Sequence, residues 1–182
     1  GQRIMAMVKA NAYGIGAVTI AQALAKHHVD YFGVAYVDEG KALREAGILT
    51  PIMVMNPGEQ SMEQMLALRL EPEIFSLEVL DRFGQAYQRY PEAALGRVHI
   101  KVDTGMHRLG IAPDNVTTIV NQLSSLPQVA SLGITSHFAC SDDQTHPMNH
   151  RQIALFSTCA PEIQPRSLAN SAAIWNFPDS QL

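Results

Sequence analysis

"MVKANAYGIG", residues 7–16, decides between two folds. An apolar run over residues 4–8 stops at Lys9, and a loop of small residues with Gly14 and Gly16 follows at once. A run apolar at nearly every position reads as a strand covered on both faces, which means a parallel sheet with helices packed on it. A doubly wound dinucleotide-binding sheet would carry G-x-G-x-x-G after such a strand. Here Thr19 stands where the third glycine belongs, so that fingerprint fails. A (β/α)8 barrel instead sets its chemistry at the C-terminal ends of several strands.

The rest of the chain repeats the grammar. Strand-like runs fall at 4–8, 31–36, 51–55, 72–75, 98–102, 130–138 and 167–169. Helical stripes fit between them: Val18, Ala21, Leu24 and Ala25; Ala42, Leu43 and Ala46, capped by Asp38 and ended by Gly47; Val79, Leu80, Phe83 and Tyr87, capped by Ser76; Val116, Ile119, Val120 and Leu123, capped by Asp114. A further helix fits 153–158. Polar residues gather at strand ends: Lys9, Lys101 with Asp103, His137, and Asn170 with Ser171. The fold expected is α/β, a TIM-type (β/α)8 barrel. Seven strands are legible, so residues 1–182 are expected to form one partial barrel domain without its eighth strand.

Composition excludes several classes. Apolar residues make 47% and charged residues 16%, a globular balance, and the formal net charge of −4 gives no electrostatic case for nucleic acid or an anionic membrane surface. No apolar run reaches the roughly 18–20 residues of a membrane span, and no signal peptide is visible. Cys140 and Cys159 form no CxxC, so neither a disulfide framework nor a zinc cage is expected, and a cytoplasmic setting is the default. The absence of an initiator Met suggests a piece of something longer.

The candidate residues each admit two readings. Lys9 is either a solvated strand-end cation or an amine held at the mouth of a site, where desolvation frees its lone pair for a Schiff base; Tyr13 offers a hydroxyl nearby. In "HIKVDTGMHRLG", residues 99–110, Lys101 and Asp103 share a face and could form an ion pair, or Arg108 could be a fixed guanidinium for a carboxylate or phenolate, oriented from Lys101. His137, closing a strand, reads first as a hydrogen-bonded structural histidine. Asn170 and Ser171 are a helix cap or a phosphate contact. His146 and His150 make an HxxxH pair broken by Pro147, so no metal is expected. His27, His28 and His99 read as surface or strand-edge residues, and Met5, Met7, Met53, Met55, Met62 and Met65 as core filling.

Together "MAMVKANAYGIG", "VAYVDEGKALREAGI", "PIMVM", "HIKVDTGMHRLG", "TSHFA" and "ANSAA" occur in the order found in the N-terminal barrel domain of alanine racemases, and the chain resembles that family from about residue 3 to residue 179. The resemblance implies a fold-type III pyridoxal 5'-phosphate barrel, a homodimer, and interconversion of L- and D-alanine for peptidoglycan synthesis. It implies that Lys9 holds the cofactor and removes the Cα proton on one face, and that Tyr13 and Ser171 contact the cofactor phosphate. His137 would lie beside the pyridine ring with Asn170 near it, and Arg108 would reach the phenolate and the substrate carboxylate. Lys101 matches a position carbamylated in many members. The family's eighth strand, its C-terminal β domain and the tyrosine acting on the other face of Cα lie outside these residues, so the chain is expected to be an incomplete, inactive fragment. The alternatives are a racemase of broader specificity, or a barrel segment that binds cofactor or serves assembly without catalysis.

Overall fold

The computed structural model describes residues 2–58, 61–90, 96–126 and 129–180. They form two compact units, one of residues 1–73 and 81–97, the other of residues 74–80 and 98–182.

In the first unit β1 (Met5–Met7), β2 (Tyr31–Val34), β3 (Ile52–Val54) and β4 (Glu71–Ile74) lie side by side in chain order. All three pairings are parallel, with Met7 opposite Gly33, Val34 opposite Val54 and Met53 opposite Glu71. Each crossover carries helix: α1 (Lys9–Tyr13) and α2 (Ala17–Lys26) after β1, α3 (Val37–Glu45) after β2, α4 (Met62–Ala67) after β3. The expected βα alternation is present; β1 and β3 are shorter by one residue at each end and β2 by two at its C-terminal end, where ladder bonds stop before the apolar pattern does, while β4 starts and ends one residue before the expected range. The short α4 was not foreseen.

Phe32, Val34, Leu43, Ile52, Val54 and Met65 are fully or almost fully buried in this unit. Helix α3 buries Val37, Gly40 and Leu43 along one stripe, and Leu70 packs closely on Gly40, where a Cβ would come within 2.9 Å of the Leu70 Cδ1 methyl. The cap of α3 differs from expectation. Tyr36 is the N-cap, Asp38 lies in the first turn, and the Glu39 carboxylate accepts from the Tyr36 N–H at 3.2 Å. Arg44 closes the far side: its guanidinium donates to the carbonyls of Ile48, Thr50, Leu68 and Arg69, groups that the helix end and two turns leave unpaired.

Helix α5 (Leu77–Arg89) begins in the second unit and continues in the first, and Ser76 caps it as expected, accepting from Val79 N–H at 3.2 Å. The second unit holds the C-terminal part of β5 (Gly96–Lys101), then α6 (Val116–Ser124), β6 (Val129–Thr135), α7 (Pro147–Thr158), β7 (Arg166–Ser167) and α8 (Ser171–Asn176). β6 and β7 pair in parallel, Thr135 opposite Ser167. Helix α6 buries Val116, Ile119 and Leu123 at helical spacing. A short 3-10 turn, Pro113–Asn115, precedes it, so Asp114 sits in that turn and is no cap. Pro147 opens α7 at its first position, where its missing N–H costs nothing, and α7 therefore starts six residues before the stretch that periodicity marked.

His99 corrects the expectation of a surface histidine. It is 2% exposed, and its ring lies against Gly133, where a Cβ would fall 2.7 Å from Nδ1. An inward polar residue on a strand breaks no pattern that sequence periodicity can register. Of the six methionines marked as core filling, Met53, Met62 and Met65 are buried, whereas Met5, Met7 and Met55 are half-buried. Met5 and Met7 both reach over Gly33, which has no side chain to meet them.

Candidate active site

In the first unit the strand-end lysine sits on an unusual backbone. Val8 N–H donates to Gly33 O at 2.9 Å and ties the end of β1 to β2. Lys9, half-buried, then opens α1, whose interior winds left-handed: φ is +51° at Ala10, +54° at Asn11, +52° at Ala12 and +56° at Tyr13. Left-handed conformation costs an L-residue about 1–2 kcal/mol, so successive residues there need support from their surroundings. Small side chains lessen the crowding at Ala10 and Ala12, and Asn tolerates the region.

Four bonds supply much of that support. Gly16 N–H donates to Asn11 O at 2.8 Å, and Ala17 N–H, the first of α2, donates to Asn11 Oδ1 at 2.9 Å. Gly14, at φ +92°, closes onto Ala10 O at 3.0 Å. From outside the loop, Glu39 Oε1 accepts from Ala10 N–H at 2.6 Å. Tyr13 is well exposed, its side chain outside the packed core.

In the second unit, β5 ends at Lys101, which is buried at 7% exposure. Asp103 follows and organises the next turn: Oδ1 accepts from Gly105 N–H and His107 N–H, both at 3.0 Å, and Oδ2 meets His107 Nδ1 at 2.9 Å. Burial pushes the Asp103 carboxyl up, but these N–H groups and the His107 ring outweigh it and hold the carboxyl below the usual carboxylate range. The chain then returns to its start. Ile111 N–H donates to Lys101 O at 2.8 Å, and Asp103 N–H to Ile111 O at 3.0 Å. Arg108 is therefore exposed on a loop pinned at both ends.

His137, half-buried beyond the end of β6, is held through its peptide groups. Gln152 on α7, with no exposed surface, donates from Nε2 to His137 O at 2.8 Å and to Thr104 Oγ1 at 3.0 Å, and accepts from Ala139 N–H at 2.9 Å. Thr104 Oγ1 also lies 2.8 Å from Ser136 Oγ, which donates to Val102 O at 2.8 Å. The turn after β5 and the segment around His137 thus share one buried polar network. Asn170 is the N-cap of α8, its Oδ1 accepting from Ala173 N–H at 3.0 Å and from Ser141 Oγ at 2.7 Å, and Ser171 is the exposed first residue of that helix. The capping reading of Asn170 is realised.

His146 caps α7 through Nδ1, accepting from Met148 N–H at 3.2 Å, so Pro147 separates its role from that of His150. Among the described residues no three His, Cys, Asp or Glu side chains gather as a metal would require, and no helix is long and apolar enough to cross a membrane. Sequence reasoning passed over Glu39, Gln152 and the turn-forming role of Asp103. A Glu three residues into a helix start is a capping-box signal, and only that one was legible in advance.

Within the first unit the Lys9 amine and the Tyr13 hydroxyl follow the end of β1; within the second the Arg108 guanidinium, the His137 imidazole and the Ser171 hydroxyl follow the ends of β5, β6 and β7. Groups of these kinds fit the chemistry of pyridoxal phosphate. The chain matches the family described as alanine racemase, N-terminal domain, over residues 1–182. It is 37% identical over 181 residues to the alanine racemase of Thioalkalivibrio sulfidiphilus, covering 97% of this chain and 49% of that protein, and 38% identical over 184 residues to that of Haemophilus influenzae, covering 99% and 50%. Among solved structures it is similar to the alanine racemase of Clostridium difficile 630, with TM-score 0.92 and 30% identity over 100% of this chain and 49% of that one. It is also similar to the biosynthetic alanine racemase of Pseudomonas aeruginosa, with TM-score 0.87 and 33% identity over 98% and 49%. The chain spans about half the length of the curated relatives it matches. With the fold those structures share and a family match along its whole length, this chain belongs to the alanine racemase N-terminal domain family.

Proposed function

We propose that this chain forms the cofactor-binding portion of a pyridoxal-phosphate racemase that interconverts L- and D-alanine. The observation that carries the proposal is the placement of Lys9: a half-buried amine at the end of β1, on a turn whose geometry is fixed by hydrogen bonds. When bound, pyridoxal phosphate supplies the electron sink that acidifies the Cα–H bond of an amino acid. Lys9 Nζ holds the cofactor and moves the Cα proton on one face. The Tyr13 and Ser171 hydroxyls contact the phosphate. His137 and Asn170 border the ring, and the Arg108 guanidinium pairs with the substrate carboxylate. Carbamylation of Lys101 would put an anion at the end of β5 and steer Arg108. A homodimer, a cytoplasmic location and a role in cell-wall precursor supply belong to the same proposal, as what membership of the family implies.

Borohydride reduction in the presence of pyridoxal phosphate, read by peptide mass spectrometry, tests it. Label confined to Lys9 is the expected result. Label absent, or spread over surface lysines such as Lys26 and Lys41, would remove Lys9 from the role. Racemisation of alanine, measured with the same preparation, separates a catalytic chain from a binding segment, and the expectation for these residues alone is turnover far below that of full-length relatives.

A further inference from the structure

We infer that Glu39 is a positioning residue for Lys9: one carboxylate locks the left-handed turn that follows the lysine to the start of α3. The inference rests on the reading of Lys9 as the cofactor lysine. The two carboxylate oxygens do separate work. Oε1 accepts from Ala10 N–H at 2.6 Å, from the residue directly after Lys9 and 29 positions away in sequence. Oε2 accepts from Ala35 N–H at 2.7 Å and Tyr36 N–H at 3.2 Å, at the end of β2 and the cap of α3. The first two bonds have the length of charge-assisted contacts to an ionised acceptor.

Among the described residues no other side chain from beyond the loop bonds to the turn; Asn11 acts from within it. The Lys9 backbone thus has two anchors. Val8 N–H on Gly33 O fixes it on the strand side, and Glu39 fixes it on the loop side. Ala10 is the first left-handed residue, so its amide sets the direction in which the chain leaves Lys9. Loss of that bond frees the turn to relax toward ordinary conformations and swings the Lys9 side chain with it. A glutamine keeps only one acceptor oxygen. It can serve the paired N–H groups of Ala35 and Tyr36 or the single one of Ala10, and two bonds outweigh one. Glu39→Gln therefore keeps the helix cap and releases the turn, whereas Glu39→Ala loses both.

The test combines amide NMR, which needs no cofactor, with borohydride trapping by pyridoxal phosphate. In E39Q the Ala35 and Tyr36 amides should stay near their wild-type shifts with little change in thermal midpoint. The Ala10 amide should move upfield and exchange faster, and trapping at Lys9 should slow roughly tenfold to a hundredfold. In E39A all three amides should move. Wild-type trapping rates at Lys9 in both variants, or an unmoved Ala10 amide, would overturn the inference. So would trapping that falls only where the cap amides also move, since Glu39 would then be a helix cap and nothing more. Wild-type chain that traps nothing at Lys9 would instead defeat the cofactor reading, while the Ala10 amide would still decide whether Glu39 holds the turn.

Discussion

At the scale of single residues, Asp103 links backbone shape to pH. Its carboxyl lies below the usual carboxylate range because the ionised form accepts two backbone N–H bonds and meets the His107 ring. A depressed folded-state pKa gives stability that is present above the ordinary Asp value of about 3.9 and is lost as pH falls through the folded value. Asp103→Asn should therefore be less stable than wild type at neutral pH, and thermal melts should show the two converging as pH is lowered through the acid range. Parallel curves would assign the defect to shape alone. Gly110 is the second case. It adopts φ +138°, and a Cβ would stand 2.5 Å from Asp103 N. Gly110→Ala should destabilise by about 1–3 kcal/mol in chemical denaturation, because neither the φ nor the close backbone approach suits a side chain.

Between elements, Gln152 shows what a buried amide contributes. It spans the space from α7 to the turn after β5 and to the residues around His137 with three bonds. Gln152→Leu keeps similar volume but takes a partner from His137 O, Ala139 N–H and Thr104 Oγ1; Ala139 is exposed, and Thr104 retains its contact with Ser136. A deserted buried group costs about 1–3 kcal/mol, so a destabilisation of that size by urea denaturation is expected, accompanied by a shift of the His137 ring resonances. An unchanged His137 signal would confine Gln152 to stability. Arg166 plays a comparable part at the other end of α7. Its guanidinium donates to the carbonyls of Phe156, Cys159 and Ala160 at the helix end, and lies 4.6 Å from the centroid of the Phe156 ring. Both residues are polar, both are buried, and most of their hydrogen bonds go to backbone groups.

Across the whole molecule the two thiols report on folding. Cys159 is buried and donates from Sγ to Leu155 O at 3.2 Å, and burial pushes its thiol up, only partly opposed by the nearby Arg166 guanidinium. Cys140 is half-buried. Iodoacetamide at neutral pH should alkylate Cys140 first in the folded chain and both alike in denaturant; equal labelling in the folded chain would mean that the α7 end opens readily.

The seven strands, their parallel sense and the strand-end position of Lys9 followed from the sequence, because near-continuous apolar runs separated by helical stripes leave a parallel sheet as the economical way to bury them. The same logic named Lys9, Lys101, His137 and Asn170 as strand-end residues, and the resemblance of whole motifs supplied their roles. What only the tertiary structure decided lies in the backbone and in long-range polar contacts. No periodicity marks a left-handed turn at residues 10–13, since its φ values depend on how the loop is held. Glu39 reaches Ala10, Gln152 reaches Thr104 and His99 settles beside Gly133 across gaps of tens of residues, and hydrogen bonds of that range leave no local trace in the order of amino acids.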